Sequence, residues 1–172
     1  MNKSEDTVYQ LLTRFDNGKD FRFFEIKENN ITKAQTKRYS DLDDPVAYPD
    51  FERYIENELV LLIEVKGYDG FFDQRENTVA MLERHFNNYL EVQKHEALEI
   101  QVVFVIWSLT QYNVCCYFWE SLNNLRNTVL YKEKYEIQYK KGNKGKEQCL
   151  FWNTDNLRTD IWEIGQIPGY DY

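Results

Sequence analysis

Residues 49–67 read PDFERYIENELVLLIEVKG. The runs PDFERYI and ELVLLIEVKG are both of β type, and the polar residues Glu56, Asn57 and Glu58 between them suit a hairpin with a short loop. The second run is apolar on both faces until Glu64. A strand of that kind sits inside a sheet covered on both sides, which points to a layered α/β domain. A loop centred on Asn57 leaves Asp50 and Glu64 each seven residues from the centre and directly opposed. Opposed residues have Cβ atoms ~4.5–5.5 Å apart. Because side chains alternate along a strand, Lys66 shares the face of Glu64, so two carboxylates and an ammonium meet in one place.

On the N-terminal side, Val8, Leu11, Leu12 and Phe15 fall on one helical face, and Ser4 stands where it can cap a helix running from Glu5 to Phe15. After NGKD, residues 21–28 read as a strand, and the polar stretch 29–48, with Asp41, Asp43, Asp44 and Pro45, reads as a long loop on the substrate side. On the C-terminal side, Val79, Leu82, Phe86, Tyr89 and Leu90 predict one long helix from Asp73, its cap, to about Lys94. IQVVFVIW (100–107) is a second buried strand; QYNVCCYFW reads as strand by its aromatic and β-branched content or as helix by the spacing of Tyr112, Cys115, Cys116 and Trp119, and the strand is preferred. FWESLNNLR (118–126) and FWNTDNLR (151–158) each place a polar cap after an aromatic run, the pattern of a strand leading into a short helix. Between them a strand extends to Tyr139 and gives way to a Lys- and Gly-rich turn, and IPGYDY is a frayed tail.

The chain has 172 residues, 42% of them hydrophobic, which suits one domain: a core over about 4–107 and a strand and helix extension over 108–172. Lys plus Arg is 21 against 29 for Asp plus Glu, a net charge of −8, which argues against a general nucleic-acid coat. No apolar run approaches the ~20 residues of a membrane helix, so no membrane partner is expected. Cys115, Cys116 and Cys149 form an odd set with no secretory signal before them, and read as buried thiols of a cytoplasmic protein. With only His85 and His95, histidine-rich zinc sites are excluded, and catalysis falls to carboxylates and lysine. His85, inside the predicted helix, reads as a packed or surface residue rather than a base.

Charges at the end of an apolar strand are costly unless they are paired or bind something. Two opposed acids call for a cation. The oxygens of Asp50 and Glu64 with the Val65 carbonyl make a hard-ligand set suited to Mg²⁺ or Mn²⁺ at ~2.0–2.1 Å. A metal of this kind activates water and polarises a phosphodiester, while Lys66 orients the water or offsets charge on the phosphorane.

Pro49-Asp50, thirteen residues, then Glu64-Val65-Lys66 resembles the signature of the PD-(D/E)XK nuclease superfamily, and the element order from Ser4 to Trp107 resembles its core. The resemblance implies a three-layer α/β/α sandwich with a mixed central sheet, a restriction endonuclease-like core of helix, three strands, helix and strand. It implies a metal-dependent endonuclease on DNA, with Asp50 and Glu64 as metal ligands and Lys66 as the catalytic lysine. Glu5 would add an acid from the first helix, with Asp6 next, and Gln74 a polar group from the helix after the motif. The alternative is a nuclease fold serving as a binding or regulatory subunit of a mobile-element or defence complex. A basic partner subunit or a homodimer stays open in either case.

Blander readings accompany each residue. Acid and lysine at alternate strand positions also occur as solvated ion pairs, and Glu25-Ile26-Lys27 has that pattern with no Pro-Asp before it. The helix macrodipole accounts for an acid at Glu5, and helix surface accounts for Gln74. Lys140, Lys141, Lys144 and Lys146 form the one basic cluster able to grip a phosphate backbone, or a solvated turn.

Overall fold

The computed structural model describes residues 3–15, 21–23, 49–70, 77–108, 110–111, 113–138 and 142–166. The elements are α1 (Lys3–Phe15), β1 (Phe21–Phe23), β2 (Phe51–Ile55), β3 (Glu58–Asp69), β4 (Thr78–Leu82), α2 (Glu83–Glu96), β5 (Ile100–Trp107), β6 (Val114–Ser121), α3 (Leu122–Asn127), β7 (Tyr131–Gln138) and β8 (Lys144–Asn153), followed by 3-10 turns at Thr154–Asn156 and Ile161–Gln166. Five strands form a mixed sheet in the order β1-β2-β3-β5-β6, in which only β3 and β5 run parallel. The doubly apolar run therefore lies in the centre, as its composition requires.

On one face, Val8 and Leu12 of α1 and Ile161 and Ile164 pack on Ile63, Val65, Val103 and Val105. On the other, Phe86, Tyr89 and Val92 of α2 and Leu122 and Leu125 of α3 cover Leu62, Val102, Phe104 and Ile106. A second sheet, β4-β8-β7, adds Met81, Leu150 and Trp152 to that same face. The expected α/β sandwich with its mixed sheet is thus present, with a small sheet joined to one helical layer. β6 pairs with β5 and β8 with β4, so residues after 107 contribute to both sheets.

The hairpin register matches the expected pairing by a different route. The turn has two residues, Glu56 and Asn57, both at positive φ (51° and 69°), rather than the expected three. On its own that turn would slip the ladder by one residue. A bulge opposite Arg53 and Tyr54 restores it: Tyr54 pairs with Leu59 but Arg53 with Leu61, and Val60 is left over. Val60 and Leu61 consequently both pack toward the α1 face. Beyond the bulge the ladder ends at the pair Phe51 and Ile63, and Asp50 follows at its open end beside Glu64, its amide donating to Ile63 O.

Several expectations are corrected. Residues 78–82 are a strand, not the front of a helix, and α2 starts at Glu83 directly from Leu82. Ser4 does not cap α1 from outside; it lies within the first turn, 2% exposed, and its Oγ accepts from Trp107 Nε1 at 2.8 Å. Lys144 and Lys146 belong to β8, not to a turn. Among the cysteines only Cys149 is buried; Cys115 is exposed and Cys116 half-buried. The strand-to-helix echo is present, since Ser121 Oγ accepts from Asn124 N (3.2 Å) and the Asn153 side chain from Asp155 N (2.9 Å). Residues 24–28 of the first expected strand, the 29–48 loop, Asp73, Gln74, Tyr139, Lys140, Lys141 and the 167–172 tail lie outside the described residues. Among the described residues no helix is long and apolar enough to cross a membrane.

Candidate active site

Asp50 and Glu64 are 1% and 3% exposed, buried where the hairpin ends against the middle of the sheet. Asp50 is anchored from both sides: its amide donates to Ile63 O at 2.8 Å, and its Oδ2 accepts from Val65 N at 2.6 Å. In an extended strand the amide and carbonyl of one residue point to the same edge, so the Val65 carbonyl also faces the side of Asp50. Lys66 Nζ donates to Glu64 Oε1 at 2.5 Å and to the Tyr89 hydroxyl at 3.1 Å. Its ammonium also lies 5.3 Å from the centroid of the Tyr89 ring. Glu64 Oε2 is buried and has no hydrogen-bond partner among the described residues. A carboxylate oxygen in that position is costly unless something cationic meets it.

Two residues of α2 border the site: Tyr89, which sequence reasoning missed, and His85, which it read as a packed or surface residue. Tyr89 reads as one more apolar position of a helical stripe, yet its hydroxyl reaches the Lys66 ammonium. Burial, and next the negative charge of Glu64 and a hydrogen bond with it, push its phenol well above the usual range; the charges of Tyr68 and Glu5 act in the same direction. His85, one turn earlier, is half-buried, and its pKa is lowered to about 4. Burial is the main cause, followed by the positive charges of Lys66 and Arg84, with Glu64 and Glu147 opposing.

Glu5 is half-buried in the first turn of α1 and close enough for its charge to act on Tyr89. Gly67 makes this approach possible, because a Cβ there would run into the Ser4 side chain, 2.9 Å from its Cβ. The first turn of α1 can therefore rest on β3 immediately beyond Lys66. Lys144, by contrast, is exposed and bonded to Glu136 Oε1 at 2.8 Å, and Lys146 is exposed as well. Among the described residues no group of three or more His, Cys, Asp and Glu side chains is spaced to ligate a metal. The donors available to a cation are the two carboxylates and backbone oxygen. The buried free oxygen of Glu64 fits one.

No family model and no curated protein matches the sequence. Among solved structures, the chain is similar to Hjc, a Holliday junction resolvase from the archaeal hyperthermophile Archaeoglobus fulgidus, with a TM-score of 0.52 over 95% of this chain and 98% of that one, at 11% identity. This chain has the restriction endonuclease-like fold. A nuclease from a fusselovirus also aligns, with a TM-score of 0.41 and 12% identity over 94% of this chain and 84% of that one. Within the restriction endonuclease-like fold, the acids Asp50 and Glu64 and the base Lys66 occupy the hairpin end and the central strand, and α2 closes over them from the face opposite α1.

Proposed function

We propose that this protein is a nuclease, dependent on Mg²⁺ or Mn²⁺, that hydrolyses phosphodiester bonds in DNA. The observation that carries the reading is that buried Glu64, ion-paired with Lys66, lies beside buried Asp50, which is bonded to the Val65 amide, and that one Glu64 oxygen has no hydrogen-bond partner among the described residues. The similarity of the whole chain to a Holliday junction resolvase supports DNA as the substrate.

Asp50, Glu64 and the Val65 carbonyl would hold the cation, which when bound polarises the phosphodiester and lowers the pKa of water. Asp50 is kept aimed by the Val65 amide and need not reorganise. Lys66 has three ammonium protons and spends two on Glu64 and Tyr89, which leaves one for a phosphate oxygen or the attacking water. Its charge offsets the charge that builds on the phosphate as the bond to water forms. Glu5 joins as a further acid from α1. Lys144 and Lys146 of β8 would add positive charge for the phosphate backbone, a role supported by their exposure and by Ile137 of the neighbouring β7 bordering the same cavity as Lys66.

A second reading, a binding or regulatory subunit on a nuclease fold, draws on the net charge of −8, since counterion release needs several cations at the phosphates. One experiment separates the two. Purified protein is incubated with plasmid, linear duplex, single-stranded DNA and RNA in Mg²⁺ or Mn²⁺, beside Lys66→Ala. The nuclease reading expects cleavage of DNA that falls by roughly 100-fold or more in the variant. Metal binding without cleavage of any substrate would favour the subunit, and equal cleavage by the variant would overturn the site.

A further inference from the structure

Beside the acid pair, between β3, the start of α2 and the small sheet, lies a cavity of about 240 Å³. Lys66 stands in its wall, so it adjoins the candidate active site directly. Among the described residues the other walls are Tyr68, Ala80, Met81, Leu82, Ile137 and Cys149, with His85. Tyr68 is fixed at both ends: its hydroxyl donates to the Ala80 carbonyl, and its ring stacks on Phe104 with centroids 6.4 Å apart. It therefore offers a standing aromatic surface and no free hydroxyl. The imidazole, with a pKa of about 4, is neutral at physiological pH and carries one donor and one acceptor.

These walls are unsuited to a phosphate, which needs converging amides or cations, and Lys66 is the only cation among the described residues that line them. They suit a flat, mostly apolar ring with a polar edge. The volume falls below the ~300–1,000 Å³ of sites for drug-sized ligands, leaving room for one ring system. A nucleobase is such a ring, and it is tethered to the phosphate that Lys66 would meet. A base stacked inside a duplex cannot enter; an unpaired one can.

We infer that this cavity receives one unpaired nucleobase next to the scissile phosphate, with His85 at its edge, so that the preferred substrate is DNA with an unpaired nucleotide at the cut. The inference rests on the nuclease reading for the position of the phosphate. It also fits the acidic chain, because capture of a base adds affinity that does not depend on rows of lysine and arginine.

The test uses two duplexes that differ only in whether a 2-aminopurine is paired or bulged, and a third with an abasic bulge. Binding is followed in Ca²⁺, by 2-aminopurine fluorescence for the first two and by anisotropy of an end label for all three. The expected result is at least tenfold tighter binding of the bulged base than of the other two. That preference should vanish in Leu82→Trp, which fills the cavity, and shrink in His85→Leu, each variant first shown to melt cooperatively. Equal binding of all three DNAs by the unaltered protein, or a preference that survives in Leu82→Trp, overturns the inference. Cleavage in Mn²⁺ is scored separately: cleavage without a base preference removes the pocket and leaves the nuclease, whereas a base preference without cleavage does the reverse.

Discussion

His85 shows how one side chain ties the site to the stability of the fold. Its imidazole titrates near 4 in the folded protein and near 6.5 when unfolded, for burial first and then for the charges of Lys66 and Arg84. Between those values the unfolded chain binds more protons, so stability rises with pH. The contribution is whole above about pH 6.5 and drains away as the pH falls toward 4. Melting temperatures at pH 7, 5.5 and 4.5 should fall across the window, and the fall should be smaller in His85→Gln. Equal slopes in the two proteins would show that another group is responsible. Sequence alone could not single out His85 or Tyr89, because their roles depend on α2 crossing the face of β3 that bears Lys66, and no local pattern encodes that contact.

At the scale of elements, the β2–β3 hairpin carries the argument. Glu56 and Asn57 both adopt positive φ, the geometry of a type I′ turn, which favours Asn-Gly. Replacing them (Glu56→Asn with Asn57→Gly) should stabilise the protein by about 1 kcal/mol, read from urea denaturation, and leave cleavage unaltered. No gain would mean that the turn is not strained in the folded state. The hairpin, the central strand, α1, β5 and β6 were legible because their periodicity or apolar content is local. The turn was misread as three residues and the bulge was invisible, and the two errors cancel from Arg53 and Leu61 to Phe51 and Ile63, next to Asp50 and Glu64. β4 was illegible for a different reason. Val79 and Leu82 have helical spacing, no Gly or Pro divides 78–82 from α2, and the partner that makes the segment a strand is β8, some seventy residues further on.

For the molecule as a whole, a cation held by Asp50 and Glu64 would bind only the folded chain and so raise its melting temperature. At a hundredfold excess of Mn²⁺ over its dissociation constant the gain is about 2.7 kcal/mol. Asp50→Asn should abolish the rise, and an equal rise in that variant would place the metal elsewhere. The same long-range pairing has a consequence for how the protein is made. Translation delivers Asp50, Glu64 and Lys66 early, but β3 lacks its parallel neighbour until residue 107 has emerged, and β4 lacks its antiparallel partner β8 until residue 153. Ile137, which borders the cavity, arrives with the same late segment. A growing chain on the ribosome therefore carries the acids and the lysine without the wall beside them, and the cell meets a finished cleft only when the small sheet has closed.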